Sequence, residues 1–268
     1  MAHDALPQYE VAALKYATRA ARRPSHFIGG DPHDTSMPMD YYIWMIRDNG
    51  RVVLVDTGFS HDMADKRHRT LLRTPMEALA LMGVTPESIE DVVITHLHND
   101  HVGTVQEYPN AKFHLQDAEM EFATGRYMRA EIFNRAYEPD HIEGLVRLVY
   151  QDRVVFHRGE AKLAPGITLH HIGGHTAGLQ VVRVHTSRGW VVLASDASHY
   201  YEHFECGRCF PLMFHLGDAQ EGYRRLKELA DSPAHIVPGH DPLVMKRYPP
   251  VSEALKGIAV RLDRPSAA

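Results

Sequence analysis

Four residues able to bind a metal ion fall within six positions in Thr95-His96-Leu97-His98-Asn99-Asp100-His101. On an extended segment, side chains two apart point the same way, so His96 and His98 can reach one ion. Asp100 and His101 follow once the chain turns and can face a second ion beside the first. Three later fragments carry the same chemistry. His175 stands after two glycines in Ile172-Gly173-Gly174-His175-Thr176-Ala177-Gly178, where the glycines allow close backbone approach. Asp196 directly follows the apolar Leu193-Ala194-Ser195, a position from which one carboxylate can bridge two ions. His240 closes Val237-Pro238-Gly239. Imidazole nitrogen and carboxylate oxygen suit Zn²⁺, and Fe, Mn or Co can use the same set. Twenty of the 268 residues are histidine, a load that itself directs attention to metal chemistry.

Such side chains must be delivered by rigid elements, and the sequence predicts them. Val92-Val93-Ile94-Thr95 is a short β-branched run, read as a buried strand that runs straight into His96. Tyr9–Thr18, Tyr41–Ile46 and Val52–Val55 read as strands, the last two joined at Asp48-Asn49-Gly50, whose Asn-Gly is a hairpin signal. Lys112–Leu115, Val154–Phe156, Ile167–His170, Val181–Val184, Trp190–Leu193 and His235–Val237 are further strands. A helix is expected after Thr74, with Thr74 as N-cap, Pro75 at the first helical position, Glu77 closing a capping box and Gly83 ending it. Pro86–Glu90 adds a helical turn. Asp117 to about Ala130 and Glu221–Ala230 are expected helices, and 131–150 reads as a helical insertion.

Composition narrows the class. Hydrophobic residues make up 44% and charged residues 24%, which fits a globular chain rather than a disordered or fibrous one. Lys plus Arg (29) against Asp plus Glu (34) gives a formal charge of −5, with no basic footprint for nucleic acid. Two cysteines exclude a disulfide scaffold. No apolar window suits a signal peptide or a membrane span, so a cytoplasmic protein without a membrane partner is expected.

The order H-x-H-x-D-H, G-H-T-x-G, strand-end Asp and late G-H, spread over nearly the whole chain, resembles the metallo-β-lactamase superfamily. That resemblance implies an α/β fold, a four-layer αβ/βα sandwich of two mixed sheets flanked by helices. It further implies a single domain over 1–268, with 120–150 a helical insertion near the substrate pocket. By the same resemblance one divalent ion takes His96, His98 and His175, the other takes Asp100, His101 and His240, and Asp196 bridges. The run His96–Gly103, the fragment Ser195-Asp196-Ala197-Ser198 and the ending Gly239-His240-Asp241 are most similar to the N-acyl-homoserine lactonases and their relatives.

Those enzymes open a lactone ring with water, so a small-molecule lactone is the implied partner, and homodimers are common among them. Two cations about 3.5 Å apart make a bridging hydroxide near neutral pH and polarise the ester carbonyl. Asp100 is then the implied proton shuttle to the leaving alkoxide. The chain departs from the lactonases at one point. They carry Tyr three residues after the bridging Asp; here His199 stands there, followed by Tyr200 and Tyr201. His199 or Tyr200 is the expected hydrogen-bond donor to the developing oxyanion. A glyoxalase-II-like thioesterase or a phosphotriesterase would keep the site and change the substrate. A β-lactamase proper is disfavoured by the lack of an export signal, and a flavodiiron oxidoreductase would need a flavin domain after His240. A non-catalytic metal-binding protein would be expected to lose a ligand, and none of the seven is missing.

Other motifs have plainer readings. Asp56 ends a strand, where it either caps a loop or orients a ligand histidine. Cys206-Gly207-Arg208-Cys209 has C-x-x-C spacing without a second pair, and is read as incidental free thiols. Met120, Phe122, Tyr127, Met128, Phe133 and Tyr137, with Met39, Phe210 and Phe214, either line an acyl-chain pocket or form ordinary core or a dimer face.

Overall fold

The run Tyr41–Ile46 has no polar residue to alternate with, the mark of a strand covered on both faces. The computed structural model, which describes residues 6–48 and 50–266, bears this out. Its strands are β1 (Glu10–Arg19), β2 (Met39–Asp48), β3 (Arg51–Val55), β4 (Thr70–Leu71), β5 (Asp91–Val93), β6 (Lys112–Gln116) and β7 (Val154–His157). They continue with β8 (Glu160–Ala164), β9 (Ile167–His171), β10 (Gln180–Thr186), β11 (Gly189–Ser195), β12 (Ile236–Pro238) and β13 (Ala259–Arg261). One sheet has the order β13-β1-β2-β3-β5-β6-β7, with β4 paired to β1; the other has the order β12-β11-β10-β9-β8. Both are mixed. Parallel pairing links β3, β5, β6 and β7 in the first sheet and β11 with β12 in the second.

Side chains of β2 divide by the period of two. Tyr41, Ile43 and Met45 enter a core shared with the helices His61–Lys66, Pro75–Leu81, Asp117–Ala123 and Pro139–Tyr150. Tyr42, Trp44 and Ile46 enter a second core, which joins the other face of this sheet to β9, β10 and β11 and to Tyr223, Leu226 and Leu229 of the helix Leu216–Leu229. Helices, sheet, sheet and helix thus form the four layers expected from the resemblance. Among the described residues no helix is long and apolar enough to cross a membrane.

Local signals hold where the physics is local. Thr74 and Glu77 form both halves of the capping box over Pro75–Leu81. Asp48 pairs with Arg51, so two residues make the hairpin turn. Asn49 lies outside the described residues, and Gly50 adopts the positive φ (87°) such a turn requires. Two expected helices are corrected. The one beginning at Asp117 stops at Ala123, and a 3-10 turn follows at Arg126–Arg129. The bend lets Tyr127 and Phe133 pack on Phe122, with ring centroids 5.7 and 6.1 Å away. The C-terminal helix begins at Leu216 rather than Glu221, capped by the His215 ring, which accepts from the Asp218 amide. Histidine is not a usual N-cap, so nothing in the sequence marks that start. The stretch 131–150 is helical as expected, split into Glu131–Asn134 and Pro139–Tyr150 with Pro139 opening the second.

The carboxyl ends of β3, β5, β11 and β12 open onto one edge, the usual place for a site in α/β sheets. Leu193, fully buried in β11, ties the strand that carries Asp196 to the core between the sheets. Leu193→Ala is expected to lower unfolding free energy by about 2–5 kcal/mol, read by chemical denaturation. A change within experimental error would contradict this packing.

Candidate metal centre

The seven expected ligands meet at this edge in two groups. His96 Nε2 and His175 Nε2 lie 3.1 and 2.9 Å from His98 Nδ1, and Asp196 Oδ2 is 3.7 and 3.3 Å from the same two Nε2 atoms. On the other side, Asp196 Oδ1 lies 3.4 Å from His101 Nε2 and 3.0 Å from His240 Nε2, and Asp100 Oδ2 is 3.8 Å from both. His96, His98, His175 and Asp196 are thus close enough to share one cation, and Asp100, His101 and His240 another. The two oxygens of Asp196 face different groups.

Four of the five rings are aimed by what their other nitrogen holds. His175 Nδ1 donates to the Leu212 carbonyl (2.7 Å), His240 Nδ1 to the Asp40 carbonyl (2.9 Å) and His96 Nδ1 to the Thr95 hydroxyl (3.1 Å). His101 Nδ1 donates to Asp56 Oδ2 at 2.7 Å. Asp56 also accepts from the Thr95 amide (2.7 Å) and hydroxyl (2.8 Å), so the ligand-orienting reading of this residue is the one the geometry supports. All four rings keep Nε2 free for the centre.

A residue that sequence reasoning missed locks the loops together. Glu119, fully buried in the first turn of Asp117–Ala123, accepts from the Leu97 amide (2.9 Å), the Gly178 amide (2.9 Å), the Thr176 hydroxyl (2.6 Å) and the Tyr137 hydroxyl (3.0 Å). One carboxylate therefore joins the His96–His98 loop to the His175 loop. The approach is so close that a Cβ on Gly178 would sit 2.1 Å from the Glu119 nitrogen, which accounts for the last glycine of the G-H-T-x-G motif. An acidic residue in a first helical turn is common, so the sequence gives no sign of this role.

The electrostatics fit a cation pair. Burial and then neighbouring imidazoles hold His96 and His98 well below the usual histidine range, leaving them neutral with lone pairs to share. Burial also opposes charge on His101 and His240, but the carboxylates around them outweigh it and raise both. Burial would raise Asp196, yet His240, His199 and His101 hold it well below the carboxylate range. The carboxylates that raise His101 and His240 would favour a divalent cation at the same place. His101 Nε2 and Asp196 Oδ1 are buried without a hydrogen-bond partner, and two ring nitrogens crowd within hydrogen-bond distance of His98 Nδ1. Ligands arranged tetrahedrally around zinc lie about 3.3 Å from one another, close to the spacings found here.

A cavity of about 410 Å³ opens in front of the cluster, lined by Asp100, His199, His240, Tyr41, Met39 and Phe210 among others, and by Arg19, Arg67, Arg69 and Arg135. His199 stacks on Phe210 with centroids 3.5 Å apart and donates from Nε2 to Asp196 Oδ2 at 2.9 Å. Tyr200 is not brought to the cavity. Its hydroxyl donates to the Pro38 carbonyl (3.1 Å) and lies 3.1 Å from His26 Nε2, because neighbours on an extended segment point to opposite sides. Tyr201 is buried under the Arg247 guanidinium. Of the expected pocket residues, Met39 and Phe210 line this cavity. Phe122, Tyr127, Phe133 and Phe214 pack on one another, and Tyr137 packs edge-on to His98. Cys206 and Cys209 are free thiols. The arginines were missed because they come from three separate stretches of chain, at Arg19, in Lys66-Arg67-His68-Arg69 and at Arg135, that only the fold brings to one cavity.

Glu119→Gln, which replaces an all-acceptor group facing four donors, is expected to cost about 1–3 kcal/mol of stability, seen in denaturant unfolding. Asp56→Asn is expected to weaken cation binding about 10–100-fold, read by competition with a chromogenic zinc chelator. Unchanged affinity would show that Asp56 does not orient His101.

Residues 38–240 match the family model of the metallo-beta-lactamase superfamily, a span that includes all seven residues of the cluster. The chain is 26% identical over 181 residues to the N-acyl homoserine lactonase AttM of Rhizobium johnstonii, covering 65% of this chain and 66% of that protein. The match therefore spans just under two thirds of that relative. Among solved structures, a quorum-quenching N-acyl homoserine lactone lactonase superposes with a TM-score of 0.75 at 22% identity, over 89% of this chain and 95% of the other. AidC, a dizinc quorum-quenching lactonase, superposes with a TM-score of 0.68 at 22% identity over 89% of each chain. These structural likenesses speak for the fold, and the family model joins fold to motif: the chain belongs to the metallo-beta-lactamase superfamily.

Proposed function

We propose that the protein is a metal-dependent hydrolase that opens a lactone with water at a centre of two divalent cations, with zinc the favoured metal. The observation that carries this reading is Asp196, whose two oxygens face two separate groups of ligand-type side chains. The lactonases to which the chain is similar support the substrate class, and the dizinc neighbour supports the metal.

In this reading His96, His98 and His175 would hold one ion, Asp100, His101 and His240 the other, and Asp196 would serve both. When bound, the pair would supply a water deprotonated near neutral pH and an electrophile for the ester carbonyl. The chain's own residues do the rest. Asp100 is the one member of the set that is not fully buried, and the Tyr16 hydroxyl fixes its backbone by donating to its carbonyl at 3.0 Å. It alone can take a proton at its carboxylate and release it to the leaving alkoxide in the cavity. His199 holds Asp196 in place through Nε2 and presents its ring to the cavity, between the cluster and the substrate. Tyr200, with its hydroxyl committed to Pro38, supports the cavity wall from behind.

The test is proton release by zinc-loaded protein of known metal content. The panel holds short- and long-chain N-acyl-homoserine lactones, simple γ- and δ-lactones, a glutathione thioester and a phosphotriester. Lactone turnover is expected to require the metal and to fall about 10²–10⁴-fold in Asp100→Asn. Two bound ions with no turnover of any lactone would overturn the substrate class. Turnover of the thioester or phosphotriester alone would replace it.

A further inference from the structure

Four arginines line the cavity, and three of them have no acidic partner. Arg67 pairs with Glu138. Among the described residues no carboxylate pairs with Arg19, Arg69 or Arg135, although ion pairs are plentiful elsewhere on the chain. Arg19 rests Nη2 against the sulfur of Met39 at 2.8 Å, a weak acceptor, and its Nε is buried with no partner. Arg69 donates to the Arg67 carbonyl at 2.6 Å and reaches toward Tyr41.

Their placement follows from sheet register. β4 pairs with β1 through Ala17–Leu71 and Thr18–Thr70, which sets Arg69 directly across from Arg19. Like charges opposite one another on a sheet repel, and among the described residues no carboxylate forms an ion pair with either arginine, although Asp100 and Asp196 line the same cavity. Both stand beside the chemistry. The Arg69 guanidinium is 5.8 Å from the Tyr41 ring centroid, and His240 lies edge-on to the same ring with centroids 5.0 Å apart. The Tyr41 ring thus neighbours both the guanidinium and the cluster. A neutral ligand entering here would strip water from these cations and return no charge, a cost that an oxyanion removes through paired N–H···O bonds.

We propose that the substrate carries an anionic group, a carboxylate or a phosphate, remote from the ester that is cleaved, and that Arg19 and Arg69 bind it beside the Tyr41 ring. The proposal rests on the hydrolase reading above and sets its substrate class: an acidic lactone rather than one with a purely apolar tail. Arg135 adds charge at the mouth, and Met39 and Phe210 cover the uncharged part between.

The test uses zinc-loaded enzyme and matched γ-lactones that bear a side-chain carboxylate, a side-chain phosphate, or the neutral N-methylamide. The better anionic member is expected to exceed the amide in kcat/KM by at least about tenfold, the value of one charge-assisted contact. That ratio is expected to fall by about tenfold in Arg19→Gln or Arg69→Gln and further in the double variant. Which anion wins separates carboxylate from phosphate. Calorimetric binding of succinate and of inorganic phosphate to wild type and double variant gives a readout independent of turnover. Equal turnover of charged and neutral lactones, unaltered by the substitutions, would overturn the anion site and leave the lactonase reading intact. No lactone turnover, with succinate or phosphate binding that weakens in the double variant, would keep the anion site and overturn the lactone. Neither turnover nor arginine-dependent binding would overturn both.

Discussion

The structure depends on keeping one buried carboxylate, Asp196, ionised at the foot of the cavity. An unpaired buried carboxylate would neutralise or unfold its surroundings. Here His101, His240 and His199 hold it charged from three sides, and the remaining imidazoles complete the cage. Those rings come from the ends of different strands in two different sheets, so the fold must bring strand ends together within a hydrogen-bond length. Two further buried carboxylates do this, and they are held by N–H and O–H groups rather than by Lys or Arg. Asp56 ties the end of β3 to Thr95 and His101, and Glu119 ties the loop after β5 to the loop after β9. Three acids thus share the work, one at the centre of the ligand cluster and two fixing the loops that carry the rings.

Much of this was legible from the sequence, for a physical reason. Few residue types bind a transition metal, and the short H-x-H-x-D-H spacing leaves little else for them to do. The strands were legible because Tyr41–Ile46 and Val92–Ile94 are apolar on both faces, and the helix at Pro75 because its cap is local. What stayed hidden is long-range. Glu119 reads as an ordinary acidic residue in a first helical turn, and its partners at Thr176 and Gly178 lie 57 and 59 residues away. The pairing of Arg19 with Arg69 depends on β4, a strand of two residues with no pattern to detect. Tyr200 looked equivalent to His199 until the extended entry to the helix Tyr201–Cys206 turned their side chains apart.

Chemistry and selection are carried by different parts of the molecule. The cluster sits on strand ends and on loops anchored by buried hydrogen bonds, so its geometry is fixed by the cores behind it. The cavity wall comes from elsewhere: the last residue of β1, the segment before β4, the turn at Arg135 and the loop holding Phe210. Such edges and loops can change their charge without disturbing either core. Family membership therefore constrains the centre strongly and the substrate weakly.

The departure at His199 belongs to the same division. A tyrosine there could offer a hydroxyl to a substrate carbonyl, whereas His199 spends Nε2 on Asp196 and its ring face on Phe210. A hydrogen bond at the scissile group is thereby turned toward the cluster, and a substrate loses one point of orientation. Two guanidiniums without an acidic ion-pair partner, beside the Tyr41 ring, supply a stronger one. An oxyanion gripped there is fixed by two planar forks, whereas a single hydroxyl fixes one oxygen. With His199 turned to the cluster, the proposed contact at Arg19 and Arg69 orients a substrate by its charge rather than by its carbonyl.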